Sequence, residues 1–226
     1  MNETAGQREI DATYSMRTHF LEAQRVAEYD RNHTRTLGQR FRLALELRLI
    51  RMMVLRALRA EPGGRASTVL DVPCGTGRHG AMLAGLGLQV CCMDASPAMV
   101  EYARTRPGLS DLGVLVVTGD IEHLPLADDS LALAVSVRLL RHMPPPSRWD
   151  AVAELARVSR QGVVFDLLLR RGLVSMAKRI LRPQGGAARR PTLEAVRAAL
   201  HERGLKIRAM RSPRPGVTQQ HFFWVR

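Results

Sequence analysis

The chain has 226 residues, 46% of them hydrophobic, which suffices for one large domain or for a core with an added cap. No apolar run is long enough to span a bilayer, and the polar start Met1-Asn2-Glu3-Thr4-Ala5-Gly6-Gln7-Arg8 lacks the apolar centre of a signal peptide, so a cytoplasmic location is expected. The net charge of +13 invites a nucleic-acid reading, but its spread argues against one: the balance is +4 over residues 1–60, −3 over 61–159 and +12 over 160–226.

Lys178 and Lys206 are the only lysines among 34 cationic residues, a skew towards arginine that looks more like codon bias than selection for phosphate contacts. Cys74, Cys91 and Cys92 are an odd number without Cys/His metal spacing. Core thiols are expected, with no metal site.

In chain order, a loose polar start over residues 1–16 gives way to helices at about 17–33 and 37–60. In the second helix Leu43, Leu47, Ile50, Val54 and Leu58 recur on one face. Arg40, Arg48, Arg51 and Arg59 fall largely elsewhere, so the helix either packs on a sheet or over the active site, the preferred reading, or lies on a membrane surface. Glu61-Pro62-Gly63-Gly64 ends it with breaker residues. Strands are expected at 68–72, 89–93, 113–118, 131–137 and 162–168, with helices at 78–85, 97–105 and 147–159 between them. Ser96 reads as an N-cap with Pro97 in the first turn. An Arg-rich stretch over 170–190 holds a short helical piece near 173–181; a last helix at 192–203 and two closing strands at 205–210 and 219–225 complete the pattern.

The alternation predicts an α/β fold: a Rossmann-like, doubly wound, mostly parallel sheet of seven strands with helices on both faces. The expected division is an N-terminal helical cap over 1–64 and a core over 65–226 with a basic insertion at about 170–190.

The chemistry centres on Asp71-Val72-Pro73-Cys74-Gly75-Thr76-Gly77, a strand ending in an acid, then a glycine turn opening a helix. Gly75-x-Gly77-x-x-Gly80 also fits the dinucleotide fingerprint, with Asp94 at the spacing of a ribose-binding acid. A carboxylate at Asp71 would repel a pyrophosphate and suits a cationic sulfonium ligand, and the later Gly119-Asp120 pair points the same way.

Together with Asp94-Ala95-Ser96-Pro97-Ala98-Met99, Gly119-Asp120-Ile121 and His142-Met143-Pro144, this run resembles the class I S-adenosylmethionine (SAM)-dependent methyltransferases. The likeness is greatest to the type 11, ubiquinone-menaquinone-methylase-like group, and covers about residues 66–168. Pro73 departs from it, standing where many members carry glycine; it removes an N–H and stiffens the loop.

The resemblance implies SAM as cofactor and S-adenosylhomocysteine (SAH) as product. It puts Asp71 near the methionine amino group, with Pro73, Cys74, Gly75, Thr76 and Gly77 packing against the cofactor. Asp94 would hold the ribose hydroxyls beside Ala95, Met99 would cover the adenine, and Asp120 and the Ile121 N–H would meet the adenine edge. Ser136 falls at the end of the fourth strand, and Tyr29, in Tyr29-Asp30-Arg31, covers the cofactor carboxylate or the entrance, with Tyr14 as a competing choice. Non-ligand readings stand beside two of these: Asp94 as a helix N-terminal acid, Met99 as core.

Arg138 and His142 are the substrate-facing candidates, His142 either as general base or as a loop histidine bonding backbone. The implied acceptor is a small or lipid-like molecule, anionic or amphiphilic, methylated on O, N or C. An RNA methyltransferase is the alternative from charge, but Ser136-Val137-Arg138-Leu139 lacks the prolines and aromatic that hold a flipped base. A non-catalytic SAM-binding protein is the third reading.

Overall fold

The structure is a computed structural model that describes residues 23–59, 68–170, 190–213 and 218–226. The expected loose start, Tyr14, and the helical piece at 173–181 lie outside these residues. Six helices and seven strands are described. They are α1 (Ala23–Thr34), α2 (Leu37–Leu58), β1 (Thr68–Asp71), α3 (Arg78–Ala84), β2 (Gln89–Asp94), α4 (Pro97–Arg104) and β3 (Leu115–Thr118), followed by β4 (Leu133–Ser136), α5 (Pro145–Arg157), β5 (Val163–Leu168), α6 (Leu193–His201), β6 (Ile207–Arg211) and β7 (Gln220–Val225).

The strands form one sheet in the order β3-β2-β1-β4-β5-β7-β6. β1 to β5 run parallel, and β7 pairs antiparallel with both β5 and β6. Period-2 alternation splits the strand residues between two cores. Val69, Leu133, Val135, Val164, Phe222 and Trp224 face α2, α3 and α4. Leu70, Ala134, Phe165, Phe223 and Val225 face α5 and α6. Phe165 and Phe223, neighbours across β5 and β7, stack with centroids 5.3 Å apart.

Local chemistry explains the element ends. Thr36 and Gln39 close a capping box at the start of α2. Ser96 Oγ accepts from Met99 N–H before α4, and Thr192 Oγ1 from Ala195 N–H before α6. Helix α5 begins at Pro145, two residues before the sequence expectation, because prolines suit a first turn whose N–H groups have no intrahelical partner. Helix α2 buries Glu46, Ile50, Met53, Val54 and Ala57, and its apolar members pack on the sheet. The buried stripe is thus turned from the expected one, leaving Leu43 and Leu47 half-buried.

Candidate active site

The strand order reverses between β1 and β4, and in such sheets ligands occupy the crevice beyond the carboxyl ends of the strands at that point. A cavity of about 1180 Å³, open mouth included, lies there. Its walls come from the segments after β1, β2, β3 and β4, closed over by Tyr29 of α1 and by Leu43 and Glu46 of α2.

Twelve of the residues singled out from sequence meet on these walls: Tyr29, Pro73, Cys74, Gly75, Thr76, Asp94, Ala95, Met99, Asp120, Ile121, Arg138 and His142. Three do not, namely Asp71, Gly77 and Ser136. Asp71 turns its fully buried carboxylate under α3, with Oδ2 3.3 Å from where a Gly80 Cβ would stand, so a direct ligand contact is not what this geometry offers. Neither of its oxygens has a geometrically sound hydrogen bond, and burial pushes its pKa up to about 6 against the pull of His79 and the nearby Gly80 N–H. Gly77 caps α3 at φ 78°, and a Cβ there would clash with Leu109 Cδ1, so it serves the turn. Ser136 is fully buried in the sheet.

Asp94 ties the turn together. Its Oδ2 accepts from Gly75 N–H at 2.8 Å and its Oδ1 from Ser96 N–H at 2.9 Å. Burial raises its pKa, and these N–H groups pull it back. A carboxylate offers about four acceptor sites, so Asp94, which lines the cavity, keeps acceptor capacity beyond these bonds. Met99 lines the cavity and belongs to neither core cluster. Asp120 Oδ1 accepts from Glu122 N–H at 3.1 Å, fixing the turn after β3.

Asp30 docks α1 on the glycine turn. Its Oδ1 accepts from Thr76 Oγ1 and Arg106 Nη2, both at 2.6 Å, and lies 3.3 Å from Arg78 Nε. Burial opposes its ionisation, but Thr76, Arg106 and Arg78 outweigh that and hold its pKa down. Tyr29, the next residue, is thereby held at the cavity, with the Arg78 guanidinium 5.4 Å from its ring centroid.

Glu46 is the residue sequence reasoning missed. Its Oε1 lies 2.8 Å from Arg138 Nη2 and 3.2 Å from His79 Nε2, and its Oε2 accepts from Gln220 Nε2 at 3.2 Å. Burial opposes its charge, yet His79 and Arg138 bring its pKa down to about 2. The one usable signal is an acid at position 46 within an otherwise apolar stripe. Arg138, at φ 69°, donates its N–H to Asp166 Oδ1 at 2.5 Å, and Asp166 Oδ2 accepts from Gln220 Nε2 at 2.9 Å. A left-handed backbone at a non-glycine residue is costly, and this network holds it there.

The His142 loop is pinned from below. Buried Arg148 donates to the carbonyls of Leu140 (2.6 Å) and Met143 (2.9 Å). Partial burial and the Arg141 cation lower the His142 pKa. A second cavity, about 1100 Å³ with its open mouth, shares Leu43, Glu46 and Arg138 with the first and is otherwise lined by residues including Asn32, Gln39 and Arg42.

A glycine turn gripped by a strand-end acid thus lies at the switch point of a seven-stranded sheet whose seventh strand runs antiparallel. Residues 69–162 match a family model described as "Methyltransferase domain". It is 40% identical over 116 residues to a demethylmenaquinone methyltransferase of Beutenbergia cavernae, covering 51% of this chain and 44% of that protein. It is 33% identical over 102 residues to a malonyl-(acyl-carrier protein) O-methyltransferase of Yersinia pestis, covering 44% and 36%. The chain thus spans less than half the length of these curated relatives. The fold matches magnesium protoporphyrin IX methyltransferase from Synechocystis PCC 6803 with bound SAM at a TM-score of 0.68 and 16% identity, over 95% of this chain and 96% of that one.

Proposed function

We propose that this protein transfers a methyl group from SAM to an O, N or C atom of a small or lipid-like acceptor. The observation that carries the reading is Asp94, a buried carboxylate on the cavity wall that keeps acceptor capacity beyond its bonds to the turn. An acceptor of that kind fits the vicinal hydroxyls of a ribose, which would donate to it. Ala95 lies beside it on the wall, Met99 offers a soft apolar surface to an adenine face, and Asp120 with the Ile121 N–H offers an acceptor and a donor to its edge. Pro73, Cys74, Gly75 and Thr76 would line the remainder, with Tyr29 covering it and Asp71 and Gly77 shaping the turn from behind.

When bound, SAM supplies an electrophilic methyl on a sulfonium. The chain then has to position the acceptor, exclude water and, where the acceptor carries a proton, remove it. Arg138 and His142 stand on the same wall, and a lowered pKa keeps His142 neutral and able to accept a proton near pH 7. The second cavity adjoins Arg138 and would take the body of the acceptor. Its exposed Arg42 favours an anionic or amphiphilic one.

The test is calorimetry with SAM and SAH on wild type and on Asp94→Ala. Micromolar binding by wild type, lost in a variant that still unfolds cooperatively, is expected. Absence of binding by folded wild type would overturn the reading.

A further inference from the structure

We infer that the outward face of α2 docks on an anionic lipid surface. Five large hydrophobic residues are exposed among the described residues, and three lie on this helix: Leu37 at 82%, Phe41 at 52% and Met52 at 44%. At about 100° per residue, Leu37, Phe41, Arg48 and Met52 fall within roughly 60° of one another. They form one stripe opposite the buried side. That side packs on the sheet through Ile50, Met53, Val54 and Ala57, so the helix cannot turn the stripe inward.

The charge on this face has one sign. Arg48, Arg51 and Arg56, with Arg59 at the helix end, are exposed and make no ion pair among the described residues. Glu46, the only acid of α2, is buried and bonded to His79, Arg138 and Gln220. Guanidinium groups flanking exposed apolar side chains match an interface where phosphate headgroups border acyl chains. A second copy would bring like charges together, and a nucleic acid would leave Leu37 and Met52 against water.

The experiment is co-sedimentation of the full chain with vesicles of phosphatidylglycerol and phosphatidylcholine, and with phosphatidylcholine alone. Binding only to the anionic vesicles is expected, with release at roughly 0.5 M salt. Arg48→Glu/Arg51→Glu should lower partitioning about tenfold or more, and Leu37→Ser/Met52→Ser should lower it severalfold, both with unchanged thermal unfolding. No binding, equal binding to both vesicle types, or binding that survives both double variants overturns the inference; so does arginine-dependent binding of an RNA oligomer without vesicle binding. SAH calorimetry on the same samples reports the methyltransferase reading separately, since neither pair of residues lines the cofactor cavity.

Discussion

Glu46 Oε1 and Arg138 Nη2 lie 2.8 Å apart, and with Leu43 the pair forms the wall common to both cavities. Helix α2 and the turn after β4 are 92 residues apart in sequence, so this contact holds the helix over the carboxyl ends of the strands. Removing the acid leaves a largely buried guanidinium opposite His79 with no counter-charge. Glu46→Gln should therefore cost roughly 3 kcal/mol of stability in urea unfolding. A change below about 1 kcal/mol would mean the pair is offset by its own desolvation.

Two buried acids give opposite pH dependences. The Glu46 pKa falls from 4.5 to about 2 on folding, so its contribution is complete above pH 4.5 and is lost as pH falls towards 2. The Asp71 pKa rises from 3.8 to about 6, so the unfolded chain ionises first and stability drops as pH climbs through that window. Asp71→Asn should accordingly match wild type near pH 3.5 and exceed it by about 2–3 kcal/mol at pH 7. Equal stabilities at pH 7 would place the Asp71 carboxylate in a better-solvated site than the one seen here.

The β–α alternation, the glycine turn and the caps at Ser96 and Thr192 were legible because each is a local pattern with a local cause. The cavity wall was legible wherever it follows a strand end, as at Asp94, Asp120 and His142. At Asp71 the residue type suggested a ligand contact, and only the fold shows that the last strand position turns this side chain under α3. Glu46, Asp166 and Gln220 were out of reach for another reason. Their partners lie on elements far away in sequence, so only the fold reveals that these charges and amides complete one network.

Asp30 offers a test of the N-terminal helix. One of its carboxylate oxygens receives Thr76 and Arg106, while Arg78 lies close by. Asp30→Ala releases Thr76 from the glycine turn and Tyr29 from its anchorage. SAH affinity should weaken about tenfold, comparable with one lost charge-assisted hydrogen bond. If calorimetry returned the wild-type affinity, α1 would be a covering element with no part in holding the turn.

His142 bears on the chemistry itself. Burial and the Arg141 cation favour its neutral form, and Arg148 fixes the loop that carries it. With an acceptor that loses a proton, His142→Ala should reduce turnover by roughly 10²–10⁴-fold and leave SAH affinity unchanged. The wild-type rate should fall on the acid side as the imidazole gains its proton, at a pH below the ordinary histidine range, and the variant should lose that limb. Arg141→Gln should move the limb to higher pH, because the neighbouring cation helps keep the ring neutral. A limb that stays in place in Arg141→Gln, or persists in His142→Ala, would assign the titration to another group and leave His142 a loop residue.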